Sequence, residues 1–485
     1  MGEEVITFST FDFMTHKIYE IRGKNMADGF SQFCARLAQI DLFGTAGMAL
    51  PQGTTLAKAI RDAAPLLPPL YEPIYVTHLE SRLKNLLQKA PGSVETMTGV
   101  VYQHAGSTHQ PLDRFLAVIS DLYRSFLDKD KRTNAGVPLA EAVPPLAMFQ
   151  HDGSSGPFTI PIDDVANLIG GSCGVVSMPA TYAENPIIWA ALAHETGGHD
   201  VTHADAGLLE QLAAGIGSAL AGLPNQPGIS RDDFASLWAY WIDEASADVY
   251  GLLNCGPEFE LNLAAFFGAL NARATGGVPS LRMESGFSDG DSDQILDPHP
   301  TDILRLSLGV GVIQSLSGLS SVSKSSYIEQ ITEIGKLLGN GDTVTIAGNI
   351  PASDNTLQPF QVKLPLDFMH QAAISVGGFI ASAKLKALNG HSIQDIETWD
   401  DADEARAQSV KAALLASGPI SPLGDDAQLL AGATLALIEK PDIYNQVTQA
   451  LNDGLDRSFQ LDPIWGTPPA DATYIRYAKN LTLHR

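Results

Sequence analysis

The residues with the densest chemistry in this chain are His194, Glu195 and His199. They close the run Trp189-Ala190-Ala191-Leu192-Ala193-His194-Glu195-Thr196-Gly197-Gly198-His199-Asp200. Two imidazoles and a carboxylate arrive straight out of an apolar segment, and buried groups of these types need partners. A zinc ion with its bound water would satisfy all three, the imidazoles as ligands and Glu195 as proton acceptor. The spacing is unusual for such a site. In the His-Glu-x-x-His pattern of zinc helices the histidines are four apart, about 40° round a helix of ~3.6 residues per turn. Here they are five apart, which a regular helix separates by about 140°. Sharing one ion therefore requires a local π-bulge or a loosened turn; such bulges occur mostly at functional sites, and Gly197-Gly198 is a pair that tolerates one. The alternative is a buried helix whose polar end happens to carry histidines. A second register is also open: His199-Asp200-Val201-Thr202-His203 has regular spacing and would make Asp200 the base and His203 a ligand.

A second stretch, Trp241-Ile242-Asp243-Glu244-Ala245-Ser246-Ala247-Asp248, favours the first register. Ser230 followed by Asp233 reads as a capping box that opens a helix. Phe234, Leu237, Trp238, Trp241, Ile242, Ala245, Val249 and Leu252 then mark one face. On that wheel Asp248 falls inside the apolar arc, Glu244 at its edge and Asp243 on the opposite side. Carboxylates facing a core need compensation. Glu244 as a third zinc ligand, with Asp248 holding a histidine's second nitrogen, supplies it. An ordinary acidic pair on a helix flank is the competing account.

Taken together, the two stretches resemble the gluzincin group of zinc metallopeptidases. His194-Glu195-Thr196-Gly197-Gly198-His199 is similar to the His-Glu-x-x-Gly-His motif of the dipeptidyl peptidase III family. Asp243-Glu244-Ala245-Ser246-Ala247-Asp248 is similar to that family's second motif, Glu-Glu-x-x-Ala-Glu/Asp, with Asp243 where the family usually has Glu. The resemblance covers only these two short stretches. By position it implies zinc on His194, His199 and Glu244, Glu195 as general base, and Asp248 as the residue that orients a ligand. It also implies a peptide or small amide as substrate. Two other readings stand beside it: a zinc hydrolase of a non-peptide amide or ester, and a non-catalytic binding or scaffold protein with a degenerate motif.

A third stretch, Asp297-Pro298-His299-Pro300-Thr301-Asp302-Ile303-Leu304-Arg305, pins His299 between prolines at a helix start, with Thr301 as N-cap. A histidine so constrained could stabilise the oxyanion of a tetrahedral intermediate, or simply pack at a loop–helix junction. Tyr182 and Tyr250 are other candidates for that task. Arg305 could bind a substrate carboxylate or pair with neighbouring acids. The β-like run around Gly174-Val175-Val176-Ser177-Met178 precedes the zinc stretch, and gluzincins place a strand there whose edge holds the substrate backbone.

These groups must be positioned by helices. The expected fold is mainly α (α+β), multi-helical with a small sheet next to the zinc-binding helices. Helical patterns run over 31–40, 55–64, 78–89, 112–126, 208–223, 258–274, 307–338, 368–387, 403–416, 426–438 and 443–459, with Asn185-Pro186 opening a buried helix and a strand at 343–348. Residues 1–165 read as mainly helical. Punctuation by Pro and Gly suggests an N-terminal helical region 1–160, a zinc-binding catalytic region 161–345 and a C-terminal helical region 346–485. The acidic loop Asp289-Gly290-Asp291-Ser292-Asp293 fails the EF-hand pattern, since Gln294 and Pro300 stand where Gly and Glu belong.

Composition narrows the partners. The 485 residues hold 30 Lys+Arg against 55 Asp+Glu, a formal charge of −25, which argues against nucleic acid and against an anionic membrane surface. No apolar run approaches the ~18 residues of a membrane helix, and the acidic N-terminus lacks a signal-peptide layout. Cys34, Cys173 and Cys255 are few, scattered and odd in number, so a disulfide framework is not expected. A cytoplasmic setting follows from these features.

Overall fold

The structure, a computed structural model, describes residues 26–40, 80–89, 110–140, 143–150, 156–191, 193–275, 278–285, 296–351, 357–418 and 425–462, with single positions elsewhere. The fold is α+β and mainly helical, with two small three-stranded sheets. In chain order come helices α1 (Glu80–Lys89), α2 (Gln110–Leu127) and α3 (Lys129–Ala135), strands β1 (Leu146–Gln150) and β2 (Phe158–Ile160), helix α4 (Ile162–Ile169) and strand β3 (Val175–Pro179). After the His194–His199 stretch follow α5 (Leu208–Ala219), α6 (Arg231–Tyr240), α7 (Ile242–Cys255), α8 (Glu258–Thr275), β4 (Glu284–Ser285), α9 (Asp302–Ser315) and α10 (Ser321–Leu338). Strands β5 (Thr343–Pro351) and β6 (Leu357–Pro365) lead into α11 (Leu366–Ser382), α12 (Asp401–Leu415), α13 (Asp426–Glu439) and α14 (Tyr444–Leu461).

Three helices form the centre. All of α7 from Ala245 to Cys255, α9 from Asp302 to Ile313, and α13 from Asp426 to Ile438 is buried. Helices apolar on every side belong inside a core rather than on its surface. Small residues let them meet closely: a Cβ added at Gly311 of α9 would lie 2.0 Å from the Ile374 carbonyl oxygen of α11. The core cluster that results runs from Phe30 through α7 and α9 to Leu455.

The first sheet has the order β1-β3-β2, with β1 parallel and β2 antiparallel to β3. Residues 1–165, expected to be mainly helical, hold β1 and β2 beside α1, α2 and α3. One expectation is corrected. The β3 run is the middle strand, paired with β1 along its length and with β2 over Val175–Ser177, rather than a free sheet edge; β2 is an outer strand, and it lies beside His194–His199. The second sheet, β4-β5-β6, extends the expected strand at 343–348 and adds β6.

Two helical expectations also change. Pro186–Trp189 forms a short 3₁₀ helix rather than the start of an α-helix, and the Asn185 amide donates to the Thr181 carbonyl instead of capping. The single helix expected over 231–252 is two, α6 and α7, broken at Trp241. Its start is as read, since the Ser230 side chain accepts from the Asp233 backbone N–H. The 307–338 pattern likewise divides into α9 and α10. The helix expected at 55–64 and the loop Asp289–Asp293 lie outside the described residues. Cys34, Cys173 and Cys255 are buried, and none of them is in a disulfide. Among the described residues, no helix is long and apolar enough to cross a membrane.

Candidate metal centre

His194-Glu195-Thr196-Gly197-Gly198-His199 is one turn of π-helix. Hydrogen bonding five residues apart, which defines that turn, makes side chains five apart neighbours. The rings of His194 and His199 therefore meet edge to face, with centroids 4.7 Å apart at 86°. Packing makes the turn possible. At Gly198 the π-turn presses on the backbone of α7, where an added Cβ would lie 2.4 Å from Ala247 Cα and 2.8 Å from its carbonyl oxygen. Only glycine allows that approach.

Helix α7 brings up the third group. Glu244 Oε2 lies 3.1 Å from His194 Nε2, Glu244 Oε1 lies 3.5 Å from His199 Nε2, and the two Nε2 atoms are 3.1 Å apart. Ligand atoms 2.0–2.1 Å from a tetrahedral zinc sit about 3.3–3.4 Å from one another, so the spacing suits one ion. Glu244 Oε2 is buried and has no partner beyond its approach to His194 Nε2, so both atoms can turn to one ion. Among the described residues, His194, His199 and Glu244 form the one group of three or more His, Cys, Asp or Glu side chains able to hold a metal together.

Each histidine is backed by a carboxylate. His194 Nδ1 faces Asp248 Oδ1 at 2.9 Å, and Asp248 is fully buried. Arg305 grips both Asp248 oxygens, at 2.7 Å from Nε and 2.6 Å from a terminal nitrogen, and stacks its guanidinium over Phe267. The two readings of Arg305 thus resolve to pairing with a neighbouring acid. His199 Nδ1 faces Asp243 Oδ1 at 3.2 Å. That contact corrects the helical wheel, which placed Asp243 on the opposite side. The break at Trp241 puts Asp243 in the first turn of α7, within reach of His199.

The electrostatics follow from this pairing. Burial, and then Arg305, disfavour charge on His194, but Asp248 and Glu244 outweigh them and raise the imidazole. Burial also opposes charge on Glu244, yet the two histidines hold its carboxyl well below the usual range. For Asp248 burial is again overcome, chiefly by Arg305 and then His194, and the carboxyl is lowered.

Glu195, one residue from His194, is steadied by Thr159 of β2, whose hydroxyl lies 2.8 Å from the Glu195 carbonyl oxygen and 3.0 Å from its Oε2. Nothing in the sequence around Thr159 signals this role, since β2 is only three residues long. His299 reaches the Glu244 carboxylate. Tyr240 OH and Trp241 Nε1 donate to the carbonyls of Leu296 and Asp297 and so tie the loop to α6 and α7. Asp297 Oδ1 then accepts from the His299 backbone N–H and faces its Nδ1, both at 3.0 Å, leaving Nε2 3.3 Å from Glu244 Oε1.

The tyrosines are elsewhere. Tyr250 donates to the Leu122 carbonyl and packs on Phe126, and Tyr182 packs edge-on against Phe266 in the core. The second register is not assembled as a metal site. His203 turns its two nitrogens to Asp243 and Asp163, while Asp200 lies against Gly174, its carboxyl pushed up to about 8 by burial. Comparison with protein-family models, with curated proteins and with solved structures returns no match for this chain.

Proposed function

We propose that the protein is a zinc-dependent hydrolase, and specifically a metallopeptidase acting on a peptide or small amide. The observation that carries this reading is the convergence of His194 Nε2, His199 Nε2 and the buried Glu244 carboxylate beside Glu195. The choice of peptide over other amides rests on the two motifs and their likeness to gluzincins. A cytoplasmic setting belongs to the same reading and is supported by three buried cysteines without a disulfide.

When bound, zinc would supply a Lewis acid and a water whose pKa falls towards ~7. The remaining work falls to the chain's own residues. Asp248 and Asp243 accept from the Nδ1–H groups of His194 and His199, which keeps the Nε2 lone pairs pointed inward. Glu195, held by Thr159, takes the proton of the attacking water and passes it to the leaving amine. His299, its ring fixed by Asp297, presents Nε2 at the edge of the site, where an N–H at that atom would steady the oxyanion of the tetrahedral intermediate.

A fluorogenic peptide library assayed with wild type and Glu195→Gln tests the reading. Wild type is expected to cleave members of the library. The variant should keep its metal while kcat falls roughly 10²- to 10⁴-fold, the usual contribution of a general base. A metal-loaded wild type inert to every peptide, or a Glu195→Gln variant as active as wild type, would overturn it.

A further inference from the structure

We propose that His203 is a positioning residue for the metal ligand His199, acting through Asp243 and anchored by Asp163. The proposal rests on the metal-binding reading above. Its basis is a comparison of the two ligand histidines. Behind His194 stands a buried chain, Arg305 to Asp248 to His194, in which a cation locks the carboxylate that orients the ring. Behind His199 the carboxylate is Asp243, whose side chain is 42 % exposed. A half-exposed aspartate at the first turn of a helix is free to swing into water, and alone it would orient nothing.

His203 supplies the missing lock. Its Nε2 lies 3.2 Å from Asp243 Oδ1, the same oxygen that faces His199 Nδ1 at 3.2 Å. Its other nitrogen lies 3.0 Å from Asp163 Oδ1, in the first turn of α4. Both ring nitrogens face carboxylates that lie outside the metal-holding group and accept, so both carry hydrogens and the ring is an imidazolium. One carboxylate oxygen accepts two hydrogens comfortably. The His203 N–H takes one position on Oδ1 and fixes the Asp243 rotamer; the His199 Nδ1–H takes the other. With that hydrogen held on Nδ1, the His199 lone pair stays on Nε2, facing His194 Nε2 and Glu244. The centre therefore has two chains of the same type, cation to carboxylate to histidine, one buried and one at the surface. The outer chain also ties α4, which directly follows the Thr159 strand, to α7.

The test is zinc affinity by competition with a chelator for wild type, His203→Leu and His203→Gln, with thermal melts of the metal-free proteins alongside. Glutamine keeps an N–H donor where Nε2 stands, and leucine keeps only bulk. Loss of a residue that orients a metal-bound histidine typically weakens binding roughly 10- to 100-fold. His203→Leu should show that loss, with an altered visible spectrum when loaded with Co²⁺, while His203→Gln stays near wild type in both. Equal zinc affinity in wild type and His203→Leu would overturn the role of His203 and leave the metal centre standing. Equal losses in the leucine and glutamine variants would reduce His203 to a packing role and overturn it too. If wild type itself takes up no zinc, the metal reading fails first and carries this proposal with it.

Discussion

Asp248 is fully buried, and its charge is held there by Arg305 on both oxygens and His194 on one. Removing one partner from a buried ion pair strands the other, at a cost of about 3–5 kcal/mol. Arg305→Leu is therefore expected to lower the unfolding free energy by about that amount in urea titrations, and to weaken metal binding because Asp248 loses its hold on His194. An unchanged unfolding midpoint would contradict the account. At this scale the sequence is partly legible. His194, His199, Glu244 and Asp248 stand out because charged or metal-binding groups sit among apolar neighbours. Asp243 does not, because a helical wheel assumes one unbroken axis and the chain breaks at Trp241. Thr159 and Asp163 come from a strand and a helix start far upstream, and nothing in their own surroundings points to the metal.

The π-turn is the element on which the centre depends. Histidines five apart cannot share one ion from a regular helix, and the adjacent glycines relax the backbone, so a distortion here can be expected from the sequence if the two rings hold a metal. What cannot be read is the surface that enforces it, the Ala247 backbone of α7 against Gly198. Gly198→Ala places a methyl group where neither neighbouring backbone can yield. Overpacking of this type costs about 1–3 kcal/mol, and relief by shifting the turn would carry His199 away from Glu244. The variant is expected to melt lower and to bind zinc more weakly; a stable Gly198→Ala protein with wild-type zinc affinity would show that the close approach is not needed. Gln110–Leu127 follows its apolar periodicity closely, whereas Asp426–Glu439 is marked by a continuous run of small and apolar residues. Strands β1 and β2 escape notice because runs of three to five residues carry too little periodicity to separate strand from helix.

Across the whole molecule, the mainly helical α+β fold is legible because most of the chain has a helical period, whereas the sheet order is set by contacts distant in sequence. The interior also holds acids away from the metal centre. Burial pushes Glu397 from its ordinary 4.5 up to about 7, even with Lys131 Nζ 2.7 Å from its Oε2. The raised value means that the folded protein keeps this proton while the unfolded chain loses it. Stability from this group is thus present below about pH 4.5 and is lost as pH rises to about 7, a change of roughly 3 kcal/mol. Glu397→Gln should flatten the fall of unfolding free energy over that interval relative to wild type, and parallel curves would contradict the assignment. The claim on which the functional account turns is that His194, His199 and Glu244 hold one metal ion. Its most direct test is metal content by inductively coupled plasma mass spectrometry, on wild type and Glu244→Ala purified without added metal. The account predicts about one zinc per wild-type chain, as three protein ligands with an open position hold in catalytic zinc sites, and its loss in the variant. A wild type that takes up no metal even after reconstitution, or a Glu244→Ala protein that keeps its zinc, would contradict it.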